Sequence, residues 1–153
     1  MRRTAAAGIL CVEDDPDDRL LVEMAHRDSG VVNPLTFVAD GDEALEYLRR
    51  VGRYANRDDK EQPGIILLDL NMPGTDGRET LVIVKADLLL RRIPVVILTT
   101  SSARRDIAES YDRGANSYIV KPAAFAGLVR LFERLCDYWF EMGSLPPEAG
   151  GSK

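Results

Sequence analysis

The sequence is poor in cysteine and histidine and has no long apolar run. Among 153 residues there are two cysteines, Cys11 and Cys136, and one histidine, His26. Two isolated cysteines favour buried thiols in a reducing cytosol over a disulfide or a zinc site. His26 lies off the apolar stripe of its predicted helix and is expected to be exposed and without a role. No apolar run approaches the ~20 residues of a membrane span, and residues 1–7 lack the apolar core of a signal peptide. We therefore expect a cytoplasmic protein without membrane contact.

An excess of basic charge is also missing. The formal net charge is -5 at pH 7, which argues against a general nucleic-acid binder because phosphate neutralisation needs a basic face. Apolar residues make up 45% and charged residues 29% of the chain, which is ordinary for a globular domain. A single domain of this length buries a sufficient core without disulfides or metal.

One stretch organises the chain. Ile65–Leu68 are apolar and run directly into Asp69, and a turn at Pro73 and Gly74 closes the segment. Such a run is typical of a strand buried on both faces. Asp69 would then lie at the carboxyl end of a parallel strand, where open α/β sheets place their ligand sites. The alternative is that Asp69 only caps the structure that follows.

Strand-like and helix-like patterns alternate five times. The predicted strands cover residues 9–12, 35–39, 65–68, 95–98 and 118–120, and residues 52–62 form a polar loop. This alternation predicts right-handed crossovers and a parallel sheet with helices on both faces. Three helices have recognisable apolar faces: Leu20, Leu21 and Met24 in the first, Leu81, Ile83, Val84 and Leu88 in the third, and Leu128, Leu131, Phe132, Leu135 and Trp139 in the last.

Chemically active side chains follow four of these strands directly: Glu13, Asp14 and Asp15, then Asp69, then Thr99 and Thr100, then Lys121. Clustered carboxylates are best tolerated around a cation, and oxygen ligands without histidine or cysteine favour Mg²⁺ or Mn²⁺. Lysine and a hydroxyl beside a metal suit a phosphoryl group, and a carboxylate can itself be the nucleophile. Asp15 is interpreted as the helix cap and Thr99 is favoured over Thr100, although either register could shift by one residue.

The chain from Ile9 to about Trp139 resembles the receiver domains of two-component response regulators. The resemblance rests on the acid pair after the first strand, Leu-Leu-Asp-Leu-Asn-Met-Pro-Gly-Thr-Asp-Gly, Leu-Thr-Thr-Ser, and Gly-Ala-Asn-Ser-Tyr-Ile-Val-Lys-Pro. It implies a flavodoxin-like fold with strand order 2-1-3-4-5. It also implies phosphorylation of Asp69 by a partner histidine kinase, with no enzymatic activity beyond Mg²⁺-dependent self-phosphorylation and autodephosphorylation.

The same resemblance implies a role for each site residue. Mg²⁺, or Mn²⁺, would be held by Glu13, Asp14 and Asp69 and by the backbone carbonyl of Asn71. Thr99 would bind the phosphoryl group, and Lys121 would pair with it. Tyr118 would be the aromatic switch residue, and the Lys121–Pro122 peptide bond would be cis.

A narrower resemblance points to the single-domain regulators of bacterial phytochrome kinases. It rests on the long loop after the second helix, on Asp-Gly-Arg-Glu, and on the aromatic end Tyr138, Trp139 and Phe140. It implies a phytochrome-type kinase partner and a homodimer built on the fourth helix, fifth strand and fifth helix. Residues 1–7 are expected to be an extension, 8–142 the receiver domain and 143–153 a frayed tail. Trp139 and Phe140 lie on adjacent helix faces, so one of them is expected to join Tyr138 in an exposed patch.

Two other functions compete with the phosphorylation switch. The first is a docking domain that is never phosphorylated, which the intact Asp69, Thr99 and Lys121 argue against. The second is a metal-dependent aspartyl phosphatase, but the chain offers Asp69-Leu70-Asn71 where such enzymes have two aspartates in an Asp-x-Asp motif, and no cap domain. DNA binding is disfavoured because no helix-turn-helix unit follows.

Overall fold

The computed structural model describes residues 7–57, 62–72 and 76–147, so the predicted turn at Pro73 and Gly74 lies outside the described residues. Five strands alternate with five helices: β1 (Ile9–Val12), α1 (Pro16–Ser29), β2 (Leu35–Val38), α2 (Gly41–Arg49), β3 (Ile65–Leu68), α3 (Gly77–Ala86), β4 (Val95–Thr99), α4 (Arg104–Asp112), β5 (Ser117–Val120) and α5 (Phe125–Cys136). A 3₁₀ turn, Gly52–Tyr54, follows α2, and a π-helical segment, Asp137–Met142, continues α5. None of the helices in these ranges has the length and apolar character needed to cross a membrane.

The strands form one parallel sheet in the order β2-β1-β3-β4-β5. This order confirms the flavodoxin-like fold. Val12 lies beside Leu68, Leu68 beside Ile97, and Leu98 beside Ile119. The carboxyl ends of the strands are therefore level along one edge, and the residues that follow them are brought together.

Alternate strand residues supply the cores on the two faces of the sheet. Leu10, Ile66 and Ile97 face α2 and α3, whereas the intervening residues face α1 and α5. Cys11 and Cys136 lie in the second core as free thiols, which confirms that they are buried. Burial raises the pKa of Cys11 to about 12 and that of Cys136 to about 11.

The predicted inner face of α1 is wrong at Leu20 and Leu21, whereas Met24 is half-buried. Leu20 and Leu21 are exposed, and Val22 and Ala25 are the buried residues of this helix. The helix is rotated because it packs closely on α5, where the small Ala25 side chain permits the approach. The sequence offers three consecutive apolar residues, 20–22, and periodicity alone does not choose among them.

Leu88 is likewise exposed, at 72%, because α3 ends two residues earlier. Asp87 takes an extended conformation, and its carboxylate accepts hydrogen bonds from the N–H groups of Leu89 and Leu90. This local acceptor competes with helix continuation. Leu90 is buried in place of Leu88.

The prediction that His26 is exposed is also wrong. Its Nε2 lies 2.7 Å from the carbonyl oxygen of Asn33, and its ring packs edge-on against Phe132 with centroids 5.5 Å apart. His26 therefore links α1 to the loop before β2 and to α5. This role depends on tertiary contacts that the helical pattern does not contain.

The π-helical segment places both Trp139 and Phe140 against the core, and only Tyr138 of the three aromatic residues is exposed. The wider turn of a π-helix changes the rotation per residue, so the prediction that one of the two rings would be exposed is wrong. Gly64 makes room for Phe140, since a Cβ there would lie 2.5 Å from the ring. Leu145 also lies against Gly64, and residues 148–153 of the predicted tail lie outside the described residues.

Candidate functional site

Asp69 follows β3 and is held in place by the sheet. Its N–H donates to the carbonyl of Val12, 3.4 Å away. Its Oδ1 accepts hydrogen bonds from the Thr99 hydroxyl at 3.1 Å and from the N–H of Asn71 at 3.2 Å. Its Oδ2 accepts from the Lys121 ammonium at 3.0 Å. Asp69 is thus more than a turn cap, because donors from two other strand ends converge on its carboxylate.

Lys121 is the cationic centre of the site. Besides Asp69, its Nζ donates to Glu13 at 2.8 Å and to Asp18 at 3.4 Å. Burial acts to lower the pKa of Lys121, but the hydrogen bonds and charges of Glu13 and Asp69 outweigh it, so the pKa lies above its ordinary value. Burial raises the pKa of Glu13 although Lys121 acts in the opposite direction. The lysine therefore stays charged and offsets the repulsion between the buried Glu13 carboxylate and the half-buried Asp69 carboxylate.

The acids after β1 take different positions. The Glu13 side chain is buried, Asp14 is half-buried, and Asp15 is the N-cap of α1, accepting a hydrogen bond from the N–H of Asp17 at 2.9 Å. The cap interpretation of Asp15 is confirmed. Across the residues that the structure describes, no group of three or more acidic, histidine or cysteine side chains is arranged to hold a metal ion. In this conformation Glu13 and Asp69 contact the ammonium of Lys121 instead.

Comparison with known proteins identifies this arrangement. The family model of the response regulator receiver domain matches residues 9–133. The chain belongs to this family. The resemblance seen in the sequence motifs is therefore confirmed.

Similar receiver domains include regulators of phytochromes. The response regulator Rcp1 of Synechocystis is 38% identical over 138 residues, which cover 90% of this chain and 92% of Rcp1. The phosphorylated cyanobacterial phytochrome response regulator RcpA superimposes with a TM-score of 0.83 at 42% identity, covering 93% of this chain and 99% of RcpA. The Mn²⁺-bound form of Rcp1 superimposes with a TM-score of 0.79 at 37% identity, covering 92% and 99%. The receiver domain is thus homologous to phytochrome response regulators.

Tyr118, on β5, lies beside the loop that follows Thr99. Its hydroxyl donates to the carbonyl of Ser101 at 2.9 Å. Burial is the main reason that the pKa of Tyr118 lies above its ordinary value. Because this one hydrogen bond joins β5 to the loop before α4, a displacement of the loop changes the contact of Tyr118.

The predicted cis bond before Pro122 is wrong in this structure, because none of the described peptide bonds is cis. A trans X-Pro bond is favoured by only about 0.5–1 kcal/mol. The isomer therefore depends on local packing rather than on the residue types. The ring of Pro122 lies against Gly127, where an added Cβ would be 2.9 Å from the proline Cβ.

Sequence reasoning missed a charged network beside Asp69. Arg78, on α3, donates to Asp106 of α4 at 3.1 Å, and Ser101 donates to the other oxygen of Asp106 at 2.6 Å. These hydrogen bonds from Ser101 and Arg78 hold the pKa of Asp106 below its ordinary value. Gly77 brings the start of α3 against the Asp69 backbone. The only sequence signal for the network was the Asp-Gly-Arg-Glu motif.

Proposed function

We propose that this receiver domain accepts a phosphoryl group on Asp69 from a histidine of a phytochrome-type sensor kinase. A carboxylate oxygen of Asp69 attacks phosphorus while the P–N bond to the donor imidazole breaks. The imidazole leaves with the bonding electrons, and the product on Asp69 is an acyl phosphate. Hydrolysis of the acyl phosphate by water returns the carboxylate and inorganic phosphate.

The observation that carries this proposal is the distribution of donors around the Asp69 carboxylate. The Thr99 hydroxyl and the Lys121 ammonium contact different oxygens of Asp69, at 3.1 Å and 3.0 Å. A phosphoryl group on Asp69 would therefore have one neutral donor and one cation close by to stabilise its charge. Homology to phytochrome regulators supports a kinase of that type as the donor.

A divalent cation, Mg²⁺ or Mn²⁺, fits the chemistry of the donors in this site. Glu13, Asp14, Asp69 and the carbonyl of Asn71 offer only oxygen, the preferred ligand of hard cations. The Mn²⁺-bound form of Rcp1 supports the same choice. When bound, the cation neutralises charge that develops on the transferring phosphoryl oxygens. Glu13 would have to exchange its contact with Lys121 for the cation.

We further propose that phosphorylation acts on a surface formed by α4, β5 and α5. Thr99 would close on a phosphoryl oxygen and draw the following loop with it, which changes the contact between Tyr118 and Ser101. The surface carries exposed apolar side chains on each element, among them Tyr111 at 48% and Val120 at 41% exposure. Such a patch favours burial against another subunit, so a homodimer through this surface is the expected assembly.

Intact-mass measurement after incubation with acetyl phosphate and Mg²⁺ tests the acceptor. We expect one phosphoryl adduct that hydroxylamine removes, that EDTA prevents and that Asp69→Asn abolishes. Asp106→Asn is a control that should still form the adduct, since it neutralises a nearby carboxylate that is not the acceptor. An adduct on Asp69→Asn, or none on the wild type, would contradict the proposal and favour an unphosphorylated docking domain.

Two further measurements test the proposed kinase and the proposed homodimer independently. A phosphorylated phytochrome-type kinase should transfer its phosphoryl group to the wild-type protein, and an unrelated phosphorylated kinase should not. Light scattering during chromatography should show a dimer that Tyr111→Glu dissociates, because a charge would be buried in the apolar surface. A monomer at every concentration would contradict the assembly without affecting Asp69.

A further inference from the structure

Arg78 lies between the site of Asp69 and the start of α4. Gly77 precedes it, and a Cβ on Gly77 would lie only 2.0 Å from the carbonyl oxygen of Asp69. The side chain of Arg78 therefore begins one residue after this close backbone contact. Its Nη1 is 3.4 Å from the side-chain oxygen of Asn71, whose own N–H donates to Asp69. The guanidinium is thus separated from Asp69 by a single neighbouring residue.

The shortest contact of Arg78 is with Asp106 and not with the residues next to Asp69. Its Nη2 donates to Asp106 at 3.1 Å, whereas the contacts of Nη1 with Asn71 and with the carbonyl of Leu70 are 3.4 and 3.5 Å. Distances of that length make weak hydrogen bonds. About a third of the Arg78 side chain is exposed, at 32%, so the guanidinium has room to turn. Asp106 is what holds it.

The charges around Asp69 change when it is phosphorylated. The carboxylate is replaced by a phosphoryl group that carries about −1.5 to −2 charges and three acceptor oxygens. Thr99 and Lys121 are already aimed at the two carboxylate oxygens. An arginine fork matches phosphate geometry and binds it more strongly than a single carboxylate contact at a half-exposed surface.

We propose that Arg78 is a further phosphoryl-binding residue, which Asp106 holds back in the unphosphorylated protein. This inference rests on the proposed function of Asp69. On phosphorylation the guanidinium exchanges the Asp106 carboxylate for phosphoryl oxygens. Asp106 keeps its hydrogen bond from Ser101, whose carbonyl accepts from Tyr118. The exchange removes this ion pair between α3 and α4, and it thereby affects the loop before α4 that carries Ser101, the hydrogen-bond partner of Tyr118.

Equilibrium binding of beryllofluoride, a phosphoryl mimic, in the presence of Mg²⁺ tests the exchange by calorimetry. Arg78→Gln should weaken binding about tenfold, because a charged hydrogen-bonded partner of the phosphoryl mimic is lost. Asp106→Asn should tighten binding several-fold, because the competing carboxylate is gone while an acceptor for Ser101 remains. The double variant should match Arg78→Gln, since Asp106 acts only through Arg78. Arg78→Lys, which keeps the charge without the fork, should fall between Arg78→Gln and the wild type.

The opposite signs of the two single variants distinguish this exchange from a passive brace. If the ion pair only fixed α4 to α3, both variants would shift the same equilibrium in the same direction. Arg113→Gln is the matched control, because it breaks the pair between Arg113 and Glu109 at the end of α4 and should leave binding unchanged. The proposal is overturned if the two single variants change the affinity for beryllofluoride in the same direction, or if neither differs from this control. In either case, binding of beryllofluoride to the wild type would still support the role of Asp69. Wild-type protein that binds no beryllofluoride overturns both.

Discussion

Gly77→Ala should destabilise the protein although it places a better helix former in α3. The added Cβ would lie 2.0 Å from the Asp69 carbonyl oxygen and 2.7 Å from the Cα of Leu70, where ordinary contact begins at 3.4 Å. The backbone must therefore move by about 3.4 − 2.0 = 1.4 Å, and neither neighbouring atom belongs to a flexible side chain. Overpacking of this kind costs about 3 kcal/mol, and the helix propensity of alanine returns at most about 1 kcal/mol.

We therefore expect Gly77→Ala to lower the free energy of unfolding by about 2 kcal/mol, measured by urea unfolding at pH 7. The displacement also moves the Asp69 backbone, so adduct formation from acetyl phosphate should slow. Gly8→Ala is the control, since its nearest neighbour is 3.6 Å from the added Cβ and its effect should stay within about 0.5 kcal/mol. A Gly77→Ala protein as stable as the wild type would refute the steric argument.

Two other substitutions test the electrostatics. Lys121→Met should lower the free energy of unfolding in EDTA by about 3 kcal/mol at pH 7, because Glu13 loses its buried partner. The loss should shrink at pH 5, since a raised pKa lets Glu13 take up a proton in the folded state. Lys85→Met is the control, because it leaves only carbonyl groups without a donor and should show no such pH dependence. Equal losses of stability for Lys121→Met at both pH values would contradict the argument. Burial acts to raise the pKa of Glu43, but hydrogen bonds, first that from Tyr54, leave it below its ordinary value of 4.5. The stabilisation by Glu43 is therefore present above pH 4.5 and lost as the pH falls through the folded pKa. In urea unfolding measured at several acid pH values, Glu43→Gln should make the free energy of unfolding depend less on pH. An unchanged dependence would exclude Glu43 as its source.

The strand-end cluster was predictable because each of its members directly follows an apolar run. In a parallel sheet the ends of the strands lie on one edge, so the sequence positions of Asp69, Thr99 and Lys121 suffice to bring them together. Arg78 and Asp106 could not be paired in this way. They lie on helices, and their contact depends on how α3 and α4 are rotated against each other.

Helix rotation was also the main source of error in the fold. Periodicity locates α1, but consecutive apolar residues leave its inner face undetermined, and Leu20 and Leu21 are exposed where Val22 is buried. In α3 the position of the helix end decided the outcome. Asp87 offers its carboxylate to the N–H groups that follow, so the apolar pattern continues past the helix and Leu88 faces solvent.

The burial of both cysteines makes the protein suited to site-specific labelling. Thiol reagents attack the thiolate, and burial raises the pKa of both Cys11 and Cys136 well above the ordinary value of a thiol, which disfavours the thiolate at pH 7. A cysteine introduced on an exposed residue of α4, such as Ala108, would react far faster than either. A fluorophore or spin label could thus report the position of α4 in the otherwise native sequence, without replacement of the two natural thiols.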